Sequence, residues 1–334
     1  MATGTRPTQV DVARLAGVSR QTVSLVVLGD PRVSAVRRRA VQEAMEQLGY
    51  RPNIAARALA TRRTGFVGIS LSDLGNPFHA DLVEELRRHC EAAGLIPFIA
   101  PVGEEPEEES VAVGRFLQMG VDGLILVSPL VPDRELADIG RQVPTILVTR
   151  NHGPATVDLV HTDDPEGARQ AASQLIDAGY DPVVYVGFER GVNGDSSEAR
   201  RRGYRAAMAE AGREPVEVHV DLTPKPMLAE LVRQYSAGLG LCCHNDRIAL
   251  EALGVLAEWG LEPGREAGVT GFDNTTIAGY PGVSLTSVDQ ATGEMARRVV
   301  ELIGQRLDGR VERAEVVVPA RLVVRRSSGQ RPAM

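Results

Sequence analysis

The chain has 334 residues, a net charge of −7, 43% hydrophobic and only 4% aromatic residues, and three cysteines, two of them adjacent (Cys242, Cys243). That length allows two or three domains, each with its own core. The composition argues against a disulfide-stapled scaffold, no CxxC or His/Cys spacing suggests a metal, and no run approaches the ~20 apolar residues of a membrane span. The N-terminus, MATGTRPTQVDVARLAG, has no apolar core of signal-peptide type, so a cytoplasmic protein is expected. Charge is unevenly spread. Residues 1–63 hold eleven arginines against four acids, leaving +7 there and therefore −14 on the rest. A basic head on an acidic body points to phosphate contacts confined to one end. Lys225 is the sole lysine, and a coding bias explains that better than mechanism.

Thr8 to Val27 reads as two short helices joined by a tight turn. The first carries Val12, Leu15 and Ala16 on one face, and Gly17 supplies the positive φ of the turn. Ser19 is placed to cap the second helix, and Val18 and Val23 occupy the two positions of a hydrophobic staple. Arg20 and Gln21 then stand on the exposed first turn, where a helix-turn-helix presents side chains to base edges. Spacing alone leaves an ordinary helical hairpin open. A third amphipathic helix is expected from Ser34 to Gly49, with Val36, Ala40, Val41, Ala44, Met45 and Leu48 inward. Asn53 to Ala60 is an alanine-rich stretch that Asn53 can cap, too short to be a stable helix alone.

After Thr64, apolar strands alternate with amphipathic helices. Expected strands are 66–71, 95–101, 123–127, 145–148, 159–161, 182–186, 216–220, 238–243 and 268–270. Helices expected between them include 80–93, 166–178, 197–211, 246–259 and 293–307. Short continuous apolar strands separated by helices imply parallel sheets covered on both faces. About ten such units exceed one comfortable sheet, so two doubly wound subdomains are the natural packing. The run 104–109 reads as a solvated loop and helix start.

The signatures DVA..AGVS..TVS and VS…LGY.PN..AR.L make Thr8 to Leu59 closely resemble the headpiece of the LacI/GalR family of bacterial transcription regulators. The resemblance implies an all-α helix-turn-helix headpiece and an α/β core of two Rossmann-like lobes, similar to periplasmic binding proteins. It places the DNA-binding domain at 1–52, a hinge helix and linker at 53–64, and an effector-binding core at 65–330. Lobe 1 is about 65–160 and 289–317, and lobe 2 about 161–288 and 318–330. No heptad segment follows, so the tetramerising coil of some relatives is not expected.

The DNA readers follow from motif and resemblance together. Arg20 suits a guanine edge and Gln21 an adenine edge. Ser19, Thr22 and Ser24, with Thr8 and Arg37, are phosphate candidates. Arg38 is a further one. The resemblance makes Asn53, Ala56 and Leu59 part of a hinge helix that folds when two copies pair on the operator, with Leu59 wedged into a central base step. Two positions depart from the family. Leu25 stands where an arginine is usual, and Leu28 replaces a common asparagine, so the outer operator bases need not follow the family consensus.

For the body, the resemblance carries the effector site onto Phe78 and His79 in SDLGNPFHADL, Arg200 in SSEARRRGY, Asn245 in HNDRIAL and Asp273 in GFDNT. Asp246 and Asn274 read as helix caps. Leu222 replaces an aromatic that relatives often stack on a sugar. The expected protein is a homodimeric regulator, a repressor rather than an activator, working in the cytoplasm on the nucleoid. Its partners are a pseudo-palindromic DNA operator and a small effector of sugar type, with no membrane, metal or cofactor. The alternatives are a sugar sensor with weak DNA binding and a dinucleotide-binding enzyme. The latter rests on a GxxxGxxG loop at 187–194, a poor match to GxGxxG, and neither a GxSxG elbow nor HExxH occurs.

Overall fold

The computed structural model describes residues 7–51, 63–103, 105–188, 194–220, 223–235 and 238–329. The expected hinge residues Asn53, Ala56 and Leu59 lie outside them, as do Leu222 and residues 189–193 of the glycine loop. The chain divides into two compact units, Met1–Gly65 and Phe66–Met334.

In the first unit, helices α1 (Gln9–Ala16), α2 (Arg20–Val27) and α3 (Ala35–Leu48) close around Val12, Val23, Val41 and Ala44. α1 opens on a capping box: Asp11 N–H donates to the Thr8 hydroxyl at 3.4 Å, and Thr8 N–H donates to the Asp11 carboxylate at 3.0 Å. Gly17, at φ 66°, ends α1 in the left-handed region, and Val18 N–H turns back to the Ala13 carbonyl. Ser19 caps α2 by accepting Thr22 N–H at 3.1 Å. α3 runs between the same devices, a Ser34 cap and Gly49 at φ 62°. Two inward assignments need correction. Leu15 is 49% exposed and Val36 is 80% exposed. Leu15 lies about 100° round α1 from the middle of the Val12–Ala13–Ala16 face, and Val36 about 140° round α3 from Val41.

The second unit holds two six-stranded sheets. The first has the order β11-β5-β4-β3-β1-β2, with β1 (Phe66–Leu71), β2 (Ile96–Pro101), β3 (Gly123–Val127), β4 (Thr145–Val148), β5 (Asp158–Thr162) and β11 (Glu315–Val318), all parallel. The second has the order β12-β10-β9-β8-β6-β7, with β6 (Val183–Phe188), β7 (Val216–Val220), β8 (Gly240–Cys243), β9 (Gly268–Asp273), β10 (Thr286–Asp289) and β12 (Arg321–Val323). Only β12 runs antiparallel, against β10. The chain crosses between sheets after β5, after β10 and after β11. β10 and β11, sequences TSVD and EVVV, are absent from the strands expected by pattern, being only four residues long and each opening on a polar residue.

Helices cover both faces of each sheet, which is why β3 and β6 are buried along their length. In the first lobe, α4 (Pro77–Ala92) and α11 (Thr292–Leu307) bury Leu82, Leu86, Val299 and Ile303 on one face. α5 (Pro106–Met119) and α6 (Asp133–Gln142) bury Phe116, Leu136 and Ile139 on the other. In the second lobe, α9 (Lys225–Tyr235) and α10 (Asp246–Glu258) cover one face, and α7 (Asp164–Asp177) and α8 (Gly194–Glu210) the other. α7 and α8 approach so closely that a Cβ on Gly203 would stand 2.0 Å from the Pro165 carbonyl oxygen. Each fully buried Leu, Ile or Phe contributes about 1.5–3 kcal/mol.

Glu109 corrects the reading of 104–109 as solvated. It is 1% exposed, and its carboxylate accepts from Ser70 Oγ at 2.9 Å and from Leu130 and Val131 N–H at 2.7 and 3.2 Å. It thereby ties α5 to the loop after β3. The cap assignments also shift by one residue. Asn245 caps α10, accepting Ile248 N–H at 3.0 Å, whereas Asp246 is the first helical residue and accepts from Thr275 and Ser287. Asn274 caps nothing and accepts from Arg325 at 2.7 Å. Among the described residues, no helix is long and apolar enough to cross a membrane.

Candidate functional site

The first unit presents one face built for polar contact. Arg20, Gln21 and Ser19 are exposed at the first turn of α2, whose N-terminal N–H groups also face outward. Arg20 Nε donates to Gln9 at 3.4 Å, a weak tether that leaves the guanidinium tip usable. Ser19 and Thr22 share a hydroxyl hydrogen bond of 2.9 Å, and Ser24 is half-buried one turn on. Thr8 is more committed than expected. Its hydroxyl donates to the Asp11 carboxylate at 2.8 Å. Arg37 is exposed at the first turn of α3, whereas Arg38 is tied to the Asp30 carbonyl at 2.6 Å. Leu25 packs against the headpiece core, which accounts for an apolar residue there without any base contact.

In the second unit, the C-terminal ends of strands from both lobes meet around one cavity of about 30 Å³. The cavity brings together Phe78, His79, Arg200, Asn245 and Asp273, all five of the residues carried over by resemblance. Strand C-termini are where open α/β folds bind ligands. Asn76, Ser128, Thr149, Ser196, His244 and Gln290 complete the lining and were not singled out in the sequence.

Arg200 is the charged centre. It is 5% exposed on α8, donating Nε to Asp164 at 2.8 Å and Nη1 to the His244 carbonyl at 2.8 Å. Its guanidinium lies 3.6 Å from the centroid of the Phe272 ring and 4.0 Å from the Asp273 carboxylate. Asp273 closes a chain of hydrogen bonds that starts in the other lobe. Thr162 Oγ1 at the end of β5 donates to Gln290 Oε1 at 2.9 Å, and Gln290 Nε2 donates to Asp273 Oδ1 at 2.6 Å. Asp273 Oδ2 is buried and has no partner among the described residues. Burial pushes the Asp273 carboxyl well above the usual carboxylate range, although the Arg200 charge acts to lower it. Burial raises Asp164 as well, again against Arg200. An uncompensated acceptor beside a small polar cavity is the feature a hydroxylated ligand would satisfy.

The backbone here is strained. Ser128 (φ 51°), Thr149 (φ 65°) and Asp273 (φ 125°) all sit at positive φ without being glycine, and all three line the cavity. Ser128 and Thr149 share a 2.7 Å hydroxyl hydrogen bond, aligning the ends of β3 and β4. His79 is buried with Nδ1 2.7 Å from the Asp73 carbonyl, and burial lowers its pKa, so it adds no positive charge at neutral pH. Phe78 serves the lobe core as well as the cavity. Among the described residues, no group of three or more His, Cys, Asp or Glu side chains is placed to hold a metal ion.

Comparison with known proteins gives a consistent picture. The family described as bacterial regulatory proteins, lacI family, matches residues 8–53, and the periplasmic binding protein-like domain matches residues 172–328. The chain is 30% identical to the HTH-type transcriptional regulator GalR of Escherichia coli (strain K12), over 97% of this chain and 96% of that protein. It is 32% identical to the HTH-type transcriptional regulator CelR of Thermobifida fusca, over 96% and 98%. Among solved structures, a transcriptional regulator CelR–cellobiose complex superposes with a TM-score of 0.69 at 29% identity, covering 96% of this chain and all of that one. The lac repressor dimer bound to operator and the anti-inducer ONPF shares the fold, with a TM-score of 0.83 at 24% identity over 97% of this chain. With these matches spanning headpiece and body alike, the chain belongs to the lacI family of bacterial regulatory proteins, whose relatives found here are transcription regulators and not enzymes.

Proposed function

We propose that this chain is a homodimeric, sequence-specific transcription repressor, cytoplasmic and acting on the nucleoid, whose operator affinity is set by a small polyhydroxylated effector. Residues 1–52 form its DNA-binding domain, 53–64 its hinge and 65–330 its effector-binding core. Arg20 and Gln21 read bases of each half-site. Ser19, Thr22, Ser24 and Arg37 hold phosphates, with Thr8 at the edge of that set. Asn53, Ala56 and Leu59 belong to a hinge helix that pairs with its copy at the operator centre and opens the minor groove. Phe78, His79, Arg200, Asn245 and Asp273 bind the effector between the lobes.

The observation that carries this reading is the unpartnered Asp273 carboxylate oxygen beside Arg200, in a cavity to which both lobes contribute. A ligand satisfying it bridges the lobes and so favours one lobe arrangement over another. That differential contact is what couples a ligand to DNA affinity. The solved complex of the CelR regulator with cellobiose supports a sugar as the class of effector. No catalytic role is assigned to any residue.

The test is selection of genomic DNA fragments by the purified protein at near-physiological salt, repeated with a panel of sugars. Recovery of one short pseudo-palindrome whose binding changes with one sugar is the expected outcome. Retention that vanishes with salt and ignores sequence refutes the operator reading.

A further inference from the structure

We infer that His244 is a hydrogen-bond donor in the wall of the cavity, offering its Nε2–H to an acceptor oxygen of an uncharged effector, with Tyr185 as the positioning residue that sets its tautomer. This rests on the reading of the cavity as the effector site and goes beyond it in naming a group that selects among ligands.

His244 follows β8 directly and is 2% exposed. Its Nδ1 lies 3.1 Å from the hydroxyl of Tyr185, a β6 residue that is 1% exposed. Burial pushes the Tyr185 phenol far above its usual range, so the hydroxyl keeps its proton. His244 is the one hydrogen-bond partner of that hydroxyl among the described residues, and a buried hydroxyl with a single partner satisfies its proton only by donating, here to Nδ1. A neutral imidazole accepting at Nδ1 carries its proton at Nε2. Burial, with the Arg200 and Arg201 charges, holds the ring neutral by lowering its pKa well below the ordinary value. Nε2 has no hydrogen-bond partner among the described residues. With His244 in the cavity lining, a donor of fixed tautomer is offered there.

Two neighbours hold the pair in place. A Cβ on Gly187 would stand 2.5 Å from the Tyr185 ring, so the glycine two residues along β6 leaves the space in which that ring lies. This explains the first glycine of the 187–194 motif without any dinucleotide. Phe188 packs edge-on against the imidazole, with centroids 5.3 Å apart at 74°. Rotation of His244 is thus blocked on one side and hydrogen-bonded on another.

The ligand class follows from charge. Arg200 is already committed to Asp164 and to the His244 carbonyl, and Asp273 adds a second carboxylate. A neutral His244 brings no further cation. An anionic group would be desolvated beside two carboxyl side chains and a guanidinium that is already engaged, whereas a neutral polyol can accept from His244 Nε2–H with no charge to desolvate.

The test uses the full chain labelled with ¹⁵N-histidine. Two-bond ¹⁵N–¹H correlation in the unliganded protein is expected to show His244 neutral with its proton on Nε2, and Tyr185→Phe is expected to yield mixed tautomers. A protonated ring, or a proton on Nδ1, overturns the inference. Calorimetric titration then compares cellobiose, D-galactose and D-ribose with D-gluconate as the anionic probe. For the neutral sugar that binds, His244→Gln, which keeps an N–H, is expected to stay within about threefold of wild type, and His244→Leu to lose about tenfold or more. Equal affinity in His244→Leu overturns the donor role, and tighter binding of D-gluconate than of any neutral sugar overturns the ligand class. Failure of every sugar to alter operator binding counts against the effector reading instead, because the tautomer is read without ligand.

Discussion

Asp81, on the first helix of one lobe, accepts two hydrogen bonds from Thr276 of the other: from its backbone N–H at 2.8 Å and from its hydroxyl at 3.1 Å. Thr276 opens the short 3-10 turn Thr276–Gly279, so the carboxylate meets a helix N-terminus. The contact latches the lobes together outside the cavity. Being exposed, it is worth about 0.5–1.5 kcal/mol. Asp81→Ala should weaken effector binding by about three- to tenfold and increase the radius of gyration of the unliganded protein in small-angle scattering, with Asp81→Asn intermediate. Unchanged affinity and scattering would show that the latch does not bias the lobes.

Asp158, at the start of β5, is fully buried, accepting from Arg306 at 2.7 Å and from Arg310 and the Ala314 N–H. It joins β5 to the far end of α11 and to the chain leading into β11. Burial works to raise its carboxyl, but hydrogen bonds from Arg306 and Arg310 outweigh it and hold the group below the usual range. A depressed folded pKa contributes stability that is present above the unfolded value, near ~4, and lost as pH falls through the folded one. Asp158→Asn leaves two half-buried guanidiniums without their carboxylate and should cost about 1–3 kcal/mol. Urea midpoints between pH 7 and pH 3 check both points: the variant starts lower and loses less on acidification.

How much of this was legible depended on whether the physics is local. Thr8, Gly17, Ser19, Ser34 and Gly49 follow backbone rules that act within a few residues, and the ends of α1 to α3 fall where those residues stand. Strands β1, β3, β4 and β7 have the bounds that apolar runs and turns imply. Arg200 and Asp273 came from a resemblance, because nothing near them in the chain marks a cavity. Ser128, Thr149, His244 and Gln290 lie in common short segments, and only strand order brings them together. Glu109 sits in a run of acids that looks solvated, yet the loop after β3 folds over it and supplies two N–H donors. Leu15 and Val36 are apolar residues that the helical angle turns away from the core.

Asp273 sets function against stability. Its folded pKa is raised by burial, so its contribution to stability is present below the ordinary carboxylate value and lost as pH rises through the folded one. Asp273→Asn removes the buried charge while Gln290 can still donate to the new amide oxygen, and Arg200 retains Asp164. The variant should be more stable than wild type at pH 8, by about 1 kcal/mol or more, with the difference shrinking toward pH 5. Effector binding should fall at least tenfold while operator affinity without effector stays within twofold. A loss of operator binding would make the residue structural.

In the headpiece, base reading by Gln21 can be separated from phosphate holding by Arg37, because these two residues stand on different helices. Gln21 is exposed on the first turn of α2 and its side chain makes no hydrogen bond among the described residues, so its amide is available to an adenine edge. Gln21→Ala should lower the preference for one symmetric base pair by about 1–3 kcal/mol while leaving the rest of the binding profile in place. Arg37, exposed at the start of α3, should behave differently: Arg37→Ala weakens all sequences nearly alike and reduces the slope of log affinity against log salt by about one. Ser19→Ala is the control for folding, since it removes the cap that accepts Thr22 N–H and should cost the headpiece about 1 kcal/mol of stability without altering base preference. Binding of a randomised operator library at two salt concentrations reads the first two outcomes together. If Gln21→Ala instead lowers affinity uniformly with a shallower salt slope, α2 holds the backbone there and the bases are read elsewhere.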